Sequence, residues 1–296
     1  MTGGERGFLL LTSSLGDPER KPLTISQFRI LAKRATGMEG SAISREIIPE
    51  DLVNLGYDRS MARRIVQLLA EGERLDRYLL KGKRWDCVPL TRVSEGYPVQ
   101  VRHRLGLDAP GCLWTKGDTG LLNTQMVSLV GSRDLSEPNR CFAETVGRET
   151  ARQGFTLVSG NARGADRVAQ DACLEAGGRV ISVVADALEK YPVRKNMLYL
   201  SEEGYDLSFS AARALSRNRV IHTLGYITLV AQCGLETGGT WDGTVKNLQN
   251  NWSPVFCFDD GSLASAELAQ YGVKLINVAQ LSDLPALQPD TYSFCK

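Results

Sequence analysis

The sequence predicts an α/β protein in which a doubly wound, mostly parallel sheet follows a small N-terminal helical module. Three observations carry this. From Met126 onward, short apolar and β-branched runs alternate regularly with helix-length polar segments that stop at glycine, as at Gly154 and Gly177-Gly178. The first two runs each break into a loop of small residues with an arginine: Gly131-Ser132-Arg133, and Ser159-Gly160-Asn161-Ala162-Arg163-Gly164-Ala165-Asp166. Upstream of residue 85 the apolar residues follow a helical period and strand signals are absent.

Residues 1–84 read as the helical module. The N-terminal tail has an apolar Phe8-Leu9-Leu10-Leu11 core but also Glu5 and no convincing cleavage site, which argues against a secretory leader. Thr24 and Gln27 have capping-box spacing, after which Ile25, Phe28, Leu31, Ala32 and Ala35 share a face. A short element over residues 49–55 stops at Gly56, and one longer helix is expected over 60–80. The Leu55-Gly56-Tyr57 turn resembles helix-hairpin-helix and SAM-like modules, whose glycine turn can rest against a phosphate backbone. The blander reading is a packing or protein-contact module with Arg63, Arg64, Arg74 and Arg77 on a solvated face.

Residues 85–125 carry scattered proline and glycine and read as a lead-in of short strands and turns. In the Rossmann-like core, 126–280, strands are expected at 126–130, 155–159, 180–184, 226–230, 255–258 and 273–277. Helices are expected near 138–153, 166–176, 195–203, 217–224, 241–249 and 263–271.

Open parallel α/β sheets bind ligands at the carboxyl ends of their strands, near the switch in strand order. The loops expected there are Gly131–Arg133, Ser159–Asp166, 185–196 and 231–240, with Arg217-Asn218-Arg219 opening the helix before the fourth strand. Gly131, Ser132, Ser159, Gly160 and Gly164 would allow close backbone approach to an anion. Arg133, Arg163, Lys195 with Asn196, and Arg217 with Arg219 would supply charge and hydrogen bonds. Gly238-Gly239-Thr240 would present a helix N-terminus. Each has a structural alternative: Gly131 can merely shape a turn, Asp166 can be a helix N-cap, and Lys195 and Asn196 can be solvated. Arg217 and Arg219 lie two apart, so on a helix only one of them faces a ligand.

Composition narrows the function. No apolar run approaches the roughly 18 residues of a membrane span. The seven cysteines are dispersed without a C-x-x-C pair, which suits reduced cytosolic thiols rather than a disulfide framework or a zinc site. The net charge of +1 conceals a gradient: fifteen basic against eleven acidic residues over 1–85, and three against seven over 220–296. A polyanion would therefore be held by local basic loops, not by a global field. The two histidines, His103 and His222, lie on different segments, and Walker A, Gly-x-Ser-x-Gly and Gly-x-Gly-x-x-Gly motifs are missing, so neither a catalytic constellation nor a cofactor or metal is expected.

Val130-Gly131-Ser132-Arg133, the Ser159–Asp166 segment, Tyr191-Pro192 with Asn196, and Arg217-Asn218-Arg219-Val220-Ile221 occur in the order and spacing of the DprA/Smf DNA-processing family. Over roughly residues 85–260 the chain resembles that family, and its N-terminal helices resemble the family's SAM-like module more loosely. The resemblance implies a Rossmann-type protein that binds single-stranded DNA, dimerises, and loads a RecA-type recombinase during transformation or recombination; with the cysteine usage and the missing catalytic groups, the expectation is a cytoplasmic, non-enzymatic protein. It makes Arg133, Arg163, Lys195, Arg217 and Arg219 the basic lining of the strand pocket. Two departures are visible. Glu236-Thr237-Gly238-Gly239-Thr240-Trp241-Asp242-Gly243-Thr244 replaces a Ser-Gly-Ser-Leu-x-Thr-Ala type segment, and about fifteen residues follow Leu281, too few for a C-terminal winged helix. The same loops also resemble LOG nucleoside-monophosphate phosphoribohydrolases, but the position of their catalytic glutamate falls on Asn247, which cannot act as a general base. A nucleotide-sensing or partner-regulating module using the same pocket is the third reading.

Overall fold

The computed structural model describes residues 1–36, 46–202 and 204–287. Two compact units account for the described chain. The first comprises Met1–Tyr97, Pro110–Trp114 and Glu202–Leu207, the second Pro98–Ala109, Thr115–Ser201 and the chain from Ser208 onward.

The first unit holds α1 (Gly3–Thr12), α2 (Ile25–Ala35), α3 (Pro49–Asn54), α4 (Arg59–Leu69), α5 (Gly72–Arg84) and β1 (Cys87–Thr91). Leu11, Leu23, Leu31, Leu52, Ala62, Ile65 and Leu68 form one of its apolar cores. One sequence expectation is corrected here and one unassigned segment gains a structure. The N-terminal tail is a helix, started by a Thr2/Glu5 capping box, and its Phe8–Leu11 run is buried. Four consecutive apolar residues suit a helix covered on more than one side, so no amphipathic period announced it. The single helix over 60–80 is two helices, because the chain breaks at Ala70-Glu71. Glu71 takes the buried Arg20 guanidinium at 3.0 Å, and Arg20 also donates to Leu10 O at 2.5 Å. The turn between α3 and α4 does form at Gly56 (φ 86°), but its carbonyl accepts from Arg34 at 3.0 Å and the same guanidinium lies over the Tyr57 ring.

The second unit begins with α6 (Val99–Leu105), a helix inside the stretch read as strands and turns, and takes up the end of β2 (Cys112–Gly117). It continues through β3 (Met126–Val130), α7 (Glu137–Arg152), β4 (Thr156–Ser159), α8 (Ala165–Glu175), β5 (Arg179–Val184) and β6 (Met197–Glu202). The chain then forms α9 (Ala211–Leu224), β7 (Ile227–Val230), α10 (Gly238–Asn250), β8 (Val255–Phe258), α11 (Leu263–Gln270) and β9 (Lys274–Ile276). The strands lie side by side in the order β6-β5-β4-β3-β7-β8-β9, and every adjacent pair in that run is parallel. The chain builds outward from β3 to β6, then returns through α9 to place β7 on the other side of β3. The switch point is therefore the crevice between β3 and β7.

Helices cover both faces, as small polar contacts show. Ser128 Oγ on β3 donates to Ile221 O of α9, at 2.5 Å. Residues of the opposite parity, Ser159 on β4 and Ser182 on β5, receive Gln170 Nε2 of α8 at 2.7 and 3.3 Å.

The helix expected over 195–203 is β6. Met197 to Glu202 are buried without interruption, which is the pattern of a strand covered on both faces and not of an amphipathic helix. β5 and β6 are joined by residues 185–196 with only one 3-10 turn at Leu188–Lys190, so this crossover lacks an α-helix.

Candidate functional site

The switch point holds a cavity of about 400 Å3. Its walls come from the carboxyl ends of β3 and β7, the α8 approach, the middle of α9 and the first turn of α10. Gly131 closes the end of β3 where only a hydrogen fits, since a Cβ would meet those of Ala165 and Ala231. Ser132 is anchored with its backbone N–H donating to Gln232 O at 2.9 Å and its hydroxyl to the same oxygen at 3.2 Å. Arg133 follows on the exposed lip, with no hydrogen bond or ion pair among the described residues.

Gly164 is the N-cap of α8, at φ 85° and ψ −130°, a combination essentially confined to glycine. A Cβ there would collide with the carbonyl oxygens of Ser132 and Arg133, and Ala165 N–H donates to Ser132 O at 3.1 Å. The first amide of α8 is thus already used by the protein itself. Asp166 is not the N-cap. It lies in the first turn of α8 and its carboxylate folds back to accept from Ala162 N–H at 3.1 Å. Burial pushes its pKa above the ordinary carboxylate value, opposed by the Arg217 guanidinium, the Ala162 and Gly160 amides, and Arg133.

Arg217 comes down from α9 onto this carboxylate, with Nη2 4.0 Å from Asp166 Oδ2 and both side chains about nine-tenths buried. Gly160 makes room for the pair, because a Cβ would overlap the guanidinium and the carboxylate. Asn218 lines the same cavity and donates to Gly239 O at 3.1 Å, joining α9 to α10. At the far wall Gly238 (φ 81°), Gly239 and Thr240 open α10, whose N-cap Thr237 gives no side-chain capping bond. The N-terminal amides and partial positive charge of this 13-residue helix face a cavity that also holds Arg133 and Arg217.

The remaining expected residues are placed elsewhere. Ser159 is buried beneath the floor, where it accepts from Gln170. Arg163 is exposed and ion-paired with Asp134 at 2.5 Å, beside a second cavity and not the first. Arg219 points away from the cavity, donating to Asp108 O at 3.2 Å and Ser216 O at 2.8 Å. Lys195 and Asn196 lie at the amino end of β6. Asn196 (φ 59°) gives its carbonyl to Val180 N–H at the start of β5, and its amide reaches Gly177 O at 3.4 Å. They sit on the opposite rim from the switch-point cavity, a consequence of β6 being a strand parallel to β5. No motif singled out Arg213, which ties loops together by donating to Ala185 O and Ser208 O, both at 2.9 Å, and to Ser201 Oγ.

Asn247 is fully buried in α10. Its amide nitrogen donates to Ser253 Oγ and lies against His222 Nδ1, both at 3.0 Å, while its carbonyl accepts from Ser253 N–H at 2.9 Å. It is a packing amide, closed off from any substrate. Burial also drives His222 down to about 3, so the imidazole is neutral in the native state. The unfolded chain binds this proton near the ordinary 6.5, so stability is full above 6.5 and is lost as pH falls toward 3. Urea unfolding at pH 4.5, two units below that ordinary value, is expected to show a cost of up to roughly 2.7 kcal/mol from this residue. His222→Gln, which keeps an acceptor for Asn247, should flatten that part of the profile.

An open, doubly wound parallel sheet with a glycine-walled, arginine-bearing cavity at its switch point defines a class: a Rossmann-like protein with a site suited to an anionic ligand. Residues 89–278 match the family described as DNA recombination-mediator protein A, and the chain belongs to that family. It is 28% identical over 206 residues to the DNA processing protein DprA of Bacillus subtilis, covering 64% of this chain and 68% of that one. To protein Smf of Escherichia coli it is 32% identical over 160 residues, covering 49% of this chain and 41% of the relative. The chain thus spans about two thirds of the first relative and two fifths of the second. The fold is that of DprA from Streptococcus pneumoniae (TM-score 0.65, 23% identity, 88% of this chain and 96% of that one). It is also that of the Helicobacter pylori DprA whose structure describes a single-stranded DNA binding mode (TM-score 0.56, 24% identity, 66% and 94%). No helix among the described residues is long and apolar enough to cross a membrane.

Proposed function

We propose that this chain binds single-stranded DNA in the switch-point cavity, as a recombination mediator that acts without catalysis. The carrying observation is the disposition of charge: Arg133, exposed and without an ion-pair partner among the described residues, lines one cavity together with Arg217 and the first turn of α10. Such a site attracts phosphate through local charge and is largely indifferent to base sequence. The relatives' DNA-processing role and the Helicobacter protein's binding mode support the same ligand. In this reading the protein works in the cytoplasm as a homodimer and hands its strand to a RecA-type recombinase, in transformation or recombination. Gly131, Ser132, Arg133, Asp166, Arg217, Asn218 and Gly238–Thr240 form the site. Burial of Asn247, at the position of the hydrolase glutamate, argues against ribohydrolase chemistry.

The test is a titration of labelled single-stranded and duplex DNA at two salt concentrations, with wild type and Arg133→Ala. The wild type is expected to prefer the single strand and weaken with salt. The variant should bind about tenfold more weakly, with a salt slope smaller by about one. Absent or salt-insensitive binding, or binding unchanged by the substitution, sinks the strand-pocket reading. Release of ribose 5-phosphate from nucleoside monophosphates would overturn the non-catalytic one.

A further inference from the structure

A second cavity of about 410 Å3 opens at the carboxyl ends of β4 and β5 and shares Arg133, Ala162, Ala214 and Arg217 with the first. Its chemistry differs. One wall is Phe209, more than half exposed although it is a large apolar side chain, and another is Tyr191, fixed by stacking on Tyr199 at 4.8 Å between ring centroids. Asn161 and Arg163 supply polar edges. Asp186, the one carboxylate among the described residues that line the cavity, is already engaged, accepting from Lys190 Nζ at 2.8 Å and from Phe209 N–H at 3.1 Å. That second bond holds the Phe209 backbone at the cavity mouth.

Resting on the strand-binding reading, we propose that this second cavity is a stacking subsite for the nucleobase next to the nucleotide held in the first. Phe209 is the stacking face and Arg133, common to both walls, holds the phosphate between the two nucleotides. An exposed aromatic face beside unpaired positive charge is what a single-stranded base seeks, since every base offers a π-face whatever its identity. A cavity for a small anion alone would gain nothing from an exposed phenyl ring. The two cavities adjoin, so one continuous strand can fill both, whereas a mononucleotide can fill only one, and its phosphate is drawn to the first, where the α10 N-terminus adds to Arg133 and Arg217. Phe209 is therefore a contact for the base of the strand and takes no part in phosphate capture.

The experiment measures binding of thymidine 5′-monophosphate, a short oligothymidylate and the same oligomer carrying abasic sites, to the full chain and to Phe209→Ala and Phe209→Trp. The alanine variant is expected to lose roughly tenfold in affinity for the oligomer, with no change for the mononucleotide. Phe209→Trp should bind the oligomer at least as well as wild type, and the abasic oligomer should bind wild type and Phe209→Ala alike. Equal oligomer affinities for Phe209→Ala and wild type would overturn the subsite, as would an equal loss for oligomer and mononucleotide. If the wild type binds no oligomer, the strand-binding reading fails and the subsite with it. If it binds but Phe209 is indifferent, only the subsite fails.

Discussion

Gly164→Ala is expected to destabilise the protein by roughly 4 kcal/mol and to abolish ligand binding by whatever remains folded. Two costs combine. The backbone at φ 85° and ψ −130° is one that a side chain adopts only under strain, and the new Cβ would fall onto the carbonyl oxygens of Ser132 and Arg133. Those oxygens cannot swing aside cheaply, because Ser132 O accepts from Ala165 N–H and Ser132 N–H is bound to Gln232 O. Gly177→Ala separates the two costs. Gly177 also has positive φ, at 76°, but nothing lies near its would-be Cβ, so strain alone, about 1 kcal/mol, is expected there. Urea unfolding of both variants measures the difference. Equal losses would mean that the carbonyl contact contributes nothing.

Arg217→Ala is expected to cost about 3 kcal/mol near neutral pH, because it strands the buried Asp166 carboxylate. The loss carries a pH signature. With the guanidinium gone, the pKa of Asp166 rises further above its ordinary 3.8. A carboxyl whose native pKa lies above its unfolded value contributes fully below the unfolded value and loses that contribution as pH rises through the native one. The deficit of the variant should therefore be larger at pH 8 than at pH 5. Adding Asp166→Asn should recover part of it, since the stranded charge is then gone. A deficit independent of pH, or a double variant no better than the single, would show that packing and not charge links the two residues.

The parallel core could be read from the sequence because its strands are short apolar runs bounded by glycine turns, and both arginine-bearing loops fall directly after such runs. That only one of Arg217 and Arg219 can face the cavity follows from helical geometry, but that it is Arg217 is settled by how α9 packs, with Arg219 donating to Asp108 O instead. What the sequence concealed has physical causes. Met197–Glu202 reads as helix because Met, Leu and Glu favour helices, yet a strand buried on both faces has no alternation to reveal it. Because β6 is a strand parallel to β5, Lys195 and Asn196 fall at its amino end, on the rim opposite the cavity. Phe8–Leu11 was hidden in the same way, by burial on several sides. Gln170, whose amide links Ser159, Ser182 and Gly160 beneath the floor, carries no motif, since its role exists only once β4, β5 and α8 are assembled.

The floor of the cavity is stitched by backbone bonds between separate strand ends: Ala231 N–H to Val130 O, Ser132 N–H to Gln232 O, and Ala165 N–H to Ser132 O. A receptor already rigid before its ligand arrives has little conformational entropy left to surrender on binding. Encounter should then be governed by diffusion and electrostatic steering, without a slow isomerisation step. Variants of the lining would differ chiefly in how long the ligand stays, so dwell times, more than arrival rates, should rank them.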